Sequence, residues 1–123
     1  MIPSGGRVEV FVHREPVDMR KHYDGLWGLV TALGRTPFDG ALYAFIGKTR
    51  RRAKVLWWDG TGLIVLSKRL DKGQFVAPWT RPGRGPLVVT ASELALLLEG
   101  SELVGKVRLS PEPWTPAQAA SGR

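Results

Sequence analysis

Cysteine is absent from the 123-residue chain. Its absence excludes disulfide frameworks, thiolate nucleophiles and Cys-ligated metals, and it fits the cytoplasmic location that we expect. No apolar run approaches the roughly 20 residues that a membrane-spanning helix needs, so we expect no membrane as a partner. The first residues also lack the charged and apolar regions of a signal peptide.

Acidic side chains are scarce beside basic ones. Eleven Asp and Glu residues face 18 Lys and Arg residues, which gives a formal net charge of +7. Such an excess indicates a polyanionic partner, and nucleic acid is the commonest one. An anionic membrane surface and an acidic protein patch are the alternatives, and charge also serves solubility.

Paired carboxylates, which a metal-dependent nuclease would need, are not evident. Asp18 is better explained as a helix cap, Asp59 as a turn residue, and Asp24 as an ion-pair partner of Arg20 four residues earlier. Asp39 is the fourth candidate by composition, and a metal-dependent nuclease remains the third hypothesis for function. On these grounds we predict no catalytic residues.

Other catalytic signatures are also lacking. His13 and His22 have no metal-ligand spacing, and Ser67 has no nucleophile-elbow context. The glycines at 60 and 62 precede a strand, whereas a phosphate-binding loop opens a helix. We therefore predict neither a metal nor a cofactor.

The central feature of the sequence is a β-hairpin over residues 54–70. Two apolar arms rich in β-branched and aromatic residues flank a DGTG turn at 59–62, and Asp-Gly can adopt the positive φ angles of tight turns. Its antiparallel arms bring Lys54 and the pair Lys68 and Arg69 to the same end.

The rest of the pattern predicts one α+β domain over residues 1–104, followed by a disordered tail rich in Pro, Ala and Ser at 105–123. The domain should hold a small, mostly antiparallel sheet of about five to six strands and two helices. Further strands are predicted at 7–13 (half buried), 41–46 (central), 74–77 and 87–89. One helix should span 19–33, capped by Asp18 and ended by Gly34. A capping box of Thr90 and Glu93 should open the other, with Gly100 at its end.

A cluster of cations is the best functional candidate. Five of the eight residues at 47–54 are basic, and the hairpin geometry adds two more. Such a rim would give sequence-independent, salt-sensitive contacts to phosphates, whereas the alternative is a solubilising loop. Two further cations lie where the helix dipole disfavours them. The predicted DNA-binding residues are Arg20, Lys21, Lys48, Arg50, Arg51, Arg52, Lys54, Lys68 and Arg69.

Trp57 and Trp58 are consecutive strand residues, so they should point to opposite faces of the sheet. We predict both as partner-binding residues, with the outer one stacking on a base or covering a partner surface. The alternative is that both are structural, one beneath the sheet and one beneath a helix or loop.

Several segments resemble a known family in the same order along the chain. They are VDMRK at 17–21, DGL at 24–26, KVLWWDG at 54–60, LSKRL at 66–70, GQF at 73–75 and LLEG at 97–100. The chain resembles the small TnpB accessory proteins of the insertion-sequence-sixty-six family of bacterial transposons, over roughly residues 8–100. His22 stands where many relatives have Gly, and residues 77–79 vary a commonly Trp-Pro segment.

The resemblance implies a protein encoded beside a DDE-type transposase and a second small, helix-turn-helix-like protein, and required with them for transposition. No catalytic residues come with it. We therefore expect a non-enzymatic accessory protein that binds the DNA backbone, the transposase, or both. The alternative is a pure protein–protein adaptor of the transposase complex without DNA contact.

Overall fold

The computed structural model describes residues 8–100 as a sheet of five strands with two helices. This confirms the predicted α+β class, while the boundary at 104 and the tail at 105–123 lie outside the described residues. The elements are β1 (Val10–Val12), α1 (Tyr23–Ala32), β2 (Leu42–Ile46), β3 (Arg52–Trp58), β4 (Leu63–Arg69), β5 (Leu87–Val89) and α2 (Ala91–Leu98). Two short 3-10 helices lie at Pro37–Asp39 and Pro78–Thr80.

The strands lie in the order β4-β3-β2-β1-β5. β1 and β2 are parallel and are joined through α1, whereas the other three pairings are antiparallel. β2 is central and fully buried, as its continuous apolar run predicts. In this arrangement β4 and β5 form the two edges of the sheet.

The two faces of the sheet carry separate cores. Leu26 and Val30 of α1 pack on one face, against Phe11, Tyr43 and Leu56. On the other face Leu94 and Leu97 of α2 pack against a second cluster that includes Trp57 and Phe75. A helix on each side explains why β1 is buried on both faces and not half buried as predicted.

The predicted hairpin is confirmed as β3 and β4. Seven consecutive residue pairs hold it in register, from Arg52 opposite Arg69 to Trp58 opposite Leu63. Oδ1 of Asp59 accepts hydrogen bonds from the backbone N–H groups of Thr61 and Gly62, at 3.0 Å each. These bonds stabilise the turn, and they lower the pKa of Asp59 because they favour its charged form.

The start of α1 differs from the prediction. The helix begins at Tyr23, not at residue 19, and Asp18 is not its cap. Instead Oδ1 of Asp18 accepts from the backbone N–H of Arg20 at 2.9 Å, and the Arg20 guanidinium pairs with the same carboxylate. The predicted pair of Arg20 with Asp24 is therefore wrong, and Arg20 and Lys21 precede the helix and do not lie in its first turn.

The other predicted helix signals are confirmed. α1 is followed by Gly34 at φ +79°, and the α2 capping box of Thr90 and Glu93 is formed in both directions. The strand expected at 74–77 is absent, since the 74–77 segment joins no ladder of the sheet. Phe75 instead donates its N–H to the carbonyl of Arg50 at 2.7 Å and buries its ring in the core.

Candidate nucleic-acid interface

The topology gathers nearly all cations of the described residues at one end of the sheet. β1, β2 and β4 finish at this end and β3 and β5 begin there, so the connections at 13–22, 47–51 and 70–86 lie together. Thirteen of the fourteen Lys and Arg residues at positions 8–100 belong to these connections or to adjoining strand residues. This basic end comprises Arg14, Arg20, Lys21, Lys48, Arg50, Arg51, Arg52, Lys54, Lys68, Arg69, Lys72, Arg81 and Arg84.

Two arginines at the basic end stand directly opposite each other. Arg52 of β3 pairs with Arg69 of β4, and both side chains belong to the sheet face that α1 covers. The carbonyl of Arg52 accepts from the N–H of Gly47, so the backbone groups of Arg52 point towards β2 and not towards Arg69. The two arginines therefore form a non-hydrogen-bonded pair, the kind in which side chains lie closer together. Like charges in this position destabilise a sheet, so folding does not account for the pair.

Neither guanidinium is neutralised by its surroundings. Within residues 8–100, Arg52 and Arg69 form no ion pair and no side-chain hydrogen bond. Both residues are exposed to solvent, as is Lys48 nearby. The positive charge at this corner is therefore available to a ligand.

Four other predicted cations already hold the structure around them. Arg20 pairs with Asp18 at 2.7 Å, and its hydrogen bonds lower the pKa of that carboxyl. Nζ of Lys54 donates to the carbonyl of Lys21 at 2.7 Å, which ties the approach to α1 onto β3. Arg50 and Arg51 bind the 71–74 segment through Gln74 and the carbonyl of Asp71. Lys68 lies on the opposite face of the sheet from Arg52 and Arg69, so the predicted rim is divided between both faces.

The turn between β2 and β3 carries Lys48 and leads into Arg52. Arg50 donates its N–H to the carbonyl of Gly47 and adopts φ +60°, a left-handed conformation that is uncommon for a residue with a side chain. Gly47 is close to Met19, because an added Cβ would lie 2.7 Å from the Met19 Cγ. Beside the turn lies an open cleft of about 670 Å³. Its lining includes Val17, Met19, Lys48 and Arg52.

Four cations of the basic end were missed by the sequence prediction: Arg14, Lys72, Arg81 and Arg84. Arg81 and Arg84 come close to Arg14 through the pairing of β5 with β1, which no local motif predicts, whereas Lys72 follows directly after β4. Arg14 is a structural clamp, since its guanidinium donates to the carbonyls of Arg81 and Gly85 at 2.7 Å each. It thereby holds the loop that carries Arg81 and Arg84 against the end of β1.

The two tryptophans point to opposite faces, as predicted. Trp57 is only 2% exposed in the core beneath α2, so it offers no surface to a partner. Trp58 is partly buried on the α1 face, where its ring meets Phe38 edge-on at 4.9 Å. Phe38 is 50% exposed and also contacts Trp27 at 4.7 Å, so these three rings form an aromatic cluster that the sequence did not reveal.

The opposite end of the sheet uses its charges differently. Arg35 donates to the Tyr43 hydroxyl at 3.0 Å and to Asp39 at 3.1 Å, and it lies 4.1 Å from the centre of the Phe11 ring. The Tyr43 hydroxyl donates to Asp39 at 2.6 Å. Burial first, and then this bond to a carboxylate, raise the pKa of Tyr43 to about 12. Each charged group of this cluster therefore stabilises a neighbour.

The described residues hold no obvious metal site. In the 8–100 region no three His, Asp or Glu side chains are grouped as metal ligands. The four candidate aspartates are separated, with Asp18 and Asp24 near the basic end and Asp39 and Asp59 at the other. Over the same region, no helix has the length and apolarity to cross a membrane.

The fold and the charge distribution define a small α+β domain with one strongly basic end. The chain belongs to the family of IS66 Orf2 like proteins, whose model matches residues 8–107. This confirms the resemblance to the TnpB accessory proteins of that insertion-sequence family, and it supports an accessory role in transposition.

Two relatives come from Sinorhizobium fredii (strain NBRC 101917 / NGR234). The uncharacterized protein y4hO is 34% identical over 119 residues, which cover 96% of this chain and 98% of the relative. The uncharacterized protein y4jC is 35% identical over 99 residues, which cover 80% and 82% respectively. No solved structure matches the chain.

Proposed function

We propose that the protein is a non-enzymatic accessory protein of transposition in the cytoplasm. Its basic end would bind the phosphate backbone of DNA. The observation that carries this proposal is the Arg52–Arg69 pair, two exposed like charges side by side with no acidic partner within residues 8–100. Such a pair costs stability in the free protein, and two adjacent phosphates would convert it into a favourable site.

The width of the basic end suits a duplex. Five strands at about 4.8 Å spacing place β4 and β5 roughly 19 Å apart, a distance along which a duplex presents about five to six base pairs. Arg52 and Arg69 would then bind near one border of the contact, and Arg81 and Arg84 near the other. Since neither α1 nor α2 projects from this end as a recognition helix, the contacts would position the protein without reading bases.

The test replaces the paired arginines without reversing their charge. Binding of the Arg52→Gln/Arg69→Gln variant to a labelled duplex and a labelled single strand is measured by fluorescence anisotropy. We expect roughly 10- to 50-fold weaker duplex binding near 0.1 M salt, because two phosphate contacts are lost.

A matched control separates local contacts from net charge. Ala32→Glu/Ala91→Glu lowers the net charge by the same two units at exposed helix positions. We expect this variant to bind within about threefold of the parent protein. Equal weakening of both variants, or no binding by the parent protein at low salt, would remove the support for a DNA-binding end.

A second partner, the transposase of the same element, is favoured by the aromatic cluster of Trp27, Phe38 and Trp58. Half-exposed aromatic rings are typical of protein contact surfaces, and this cluster lies away from the basic end. Phe38→Ser should weaken capture of the purified transposase and leave DNA affinity unchanged. Unchanged capture by the Phe38→Ser variant would contradict this role, and capture of the second small protein of the element is measured alongside.

A further inference from the structure

Within residues 8–100, the backbone groups on the outer edge of β4 have no strand to pair with. The backbone N–H of Leu70 donates to the carbonyl of Arg51, just before β3, and the backbone N–H of Asp59 donates to the carbonyl of Gly62. Because inward and outward groups alternate along an antiparallel strand, residues 62, 64, 66, 68 and 70 face β3. The N–H and C=O groups of Leu63, Val65, Ser67 and Arg69 therefore point away from the sheet, where no strand of residues 8–100 pairs with them.

This edge has few of the devices that protect natural sheet edges. Seven residues pair with β3 without a bulge and without a proline, and four consecutive apolar side chains at 63–66 are partly exposed. Only Lys68 and Arg69 at one end carry charge. By contrast, the β5 edge is three residues long. A long, regular, apolar edge is a template for another strand.

We propose that β4 pairs antiparallel with β4 of a second copy of this chain, about a two-fold axis at Leu66. This register places all four outward-facing residues in hydrogen-bonded pairs, Val65 with Ser67 and Leu63 with Arg69 of the partner. Ile64 meets Lys68 of the partner, so no charged side chain stands opposite a like charge.

The charge distribution selects this arrangement. A parallel pairing of the same edges would bring Lys68 and Arg69 of both copies together, which is unfavourable. The antiparallel pairing instead brings the basic end of each copy towards the end of the other that carries Asp59 and Asp39. A closed two-fold dimer also uses the edge up, so pairing stops at two copies.

The dimer has a consequence that rests on the proposed DNA binding. In a sheet continued through antiparallel β4 strands, the two basic ends point in opposite directions. One dimer could then hold two separate DNA segments. The dimer itself is tested without DNA, so its failure and the failure of DNA binding are distinguishable.

The test places proline at an outward-facing N–H. Ser67→Pro removes one edge donor from an exposed residue and leaves the bonds to β3 intact. Val88→Pro is the matched control on the opposite edge, where Val88 is 70% exposed. Leu87 and Val89 on either side of it pair with Val12 and Val10, so the Val88 N–H also points away from the sheet. Light scattering coupled to gel filtration should give the mass of two chains for the parent and for Val88→Pro, and of one chain for Ser67→Pro.

Hydrogen exchange on the parent protein keeps the proposal testable if Ser67→Pro does not fold. The amides of Val65 and Ser67 should exchange more slowly as the protein concentration rises, while the Val88 amide should not change. A parent protein of single-chain mass at high concentration would overturn the proposal. Protection of Val65 and Ser67 in a single-chain particle would also overturn it, because the edge would then be covered from within the same chain.

Discussion

The two ends of the sheet use charge in different ways. At the far end, Arg35, Asp39 and Tyr43 form a closed set of hydrogen bonds, with Phe11 beneath the guanidinium. At the basic end, Arg52 and Arg69 face each other without a counter-charge among the described residues. Folding explains the charge at the far end, whereas at the basic end the proposed DNA binding would explain it.

This difference predicts a separation of effects. Substitutions at the far end should change stability and leave DNA affinity alone. Substitutions at Arg52 or Arg69 should weaken DNA binding without destabilising the fold, and the most informative ones should stabilise it.

The largest stability effect is expected at Asp39. Asp39→Ala removes the acceptor for Tyr43, Arg35 and the backbone N–H of Ala41, and two of these bonds are partly buried. We expect a loss of about 2 kcal/mol in the free energy of unfolding, measured by urea denaturation. DNA affinity should stay within about twofold, since the substitution is far from the basic end. A large fall in affinity of the folded variant would contradict the separation.

A pH effect of similar size is expected from Tyr43. Its pKa is raised from 10.0 to about 12, so the protonated hydroxyl is favoured in the folded state. The stabilisation is complete below pH 10 and is lost as the pH rises from 10 towards 12, by on the order of 2 kcal/mol. The free energy of unfolding, measured at several pH values in this range, should fall more steeply with pH for the parent protein than for Tyr43→Phe. Equal slopes would show that the hydroxyl is not held as described.

The smallest expected effect is a stabilisation of the fold by Arg52→Glu. Arg52→Glu replaces a like-charge pair with an opposite-charge pair across β3 and β4, and should stabilise the fold by about 0.2–1 kcal/mol. The same variant should bind DNA more weakly than the parent protein. Destabilisation by Arg52→Glu would mean that Arg52 has a structural partner, which would contradict its being an unpaired cation available to DNA.

Local signals in the sequence predicted most helices, strands and turns, but not which of them lie side by side in the fold. The Asp59 turn, the Thr90 capping box and the glycine after α1 each depend on a few adjacent residues, and all three were predicted. The start of α1 was misplaced because Asp18 suits both a helix cap and a turn, and its bonds to Arg20 decided for the turn.

The cations of the candidate site that were predicted lie in the hairpin, in the basic segment just before it, or near the start of α1. Lys54 and Arg69 come to one end because the turn fixes the register of β3 and β4. Arg81 and Arg84 join them through the pairing of β5 with β1, which is set by packing between distant segments. The burial of Trp57 also depends on which helix covers which face, and alternation alone leaves that choice open.

The assignment of the basic end to DNA is tested most sharply by the salt dependence of duplex binding, for the parent protein and for Arg52→Gln/Arg69→Gln. We expect log K to fall linearly with log salt for the parent, and we expect the slope to be smaller by about two in the variant, one for each phosphate contact removed. An unchanged slope, or binding by the parent that does not depend on salt, would contradict the assignment of the basic end to the DNA backbone.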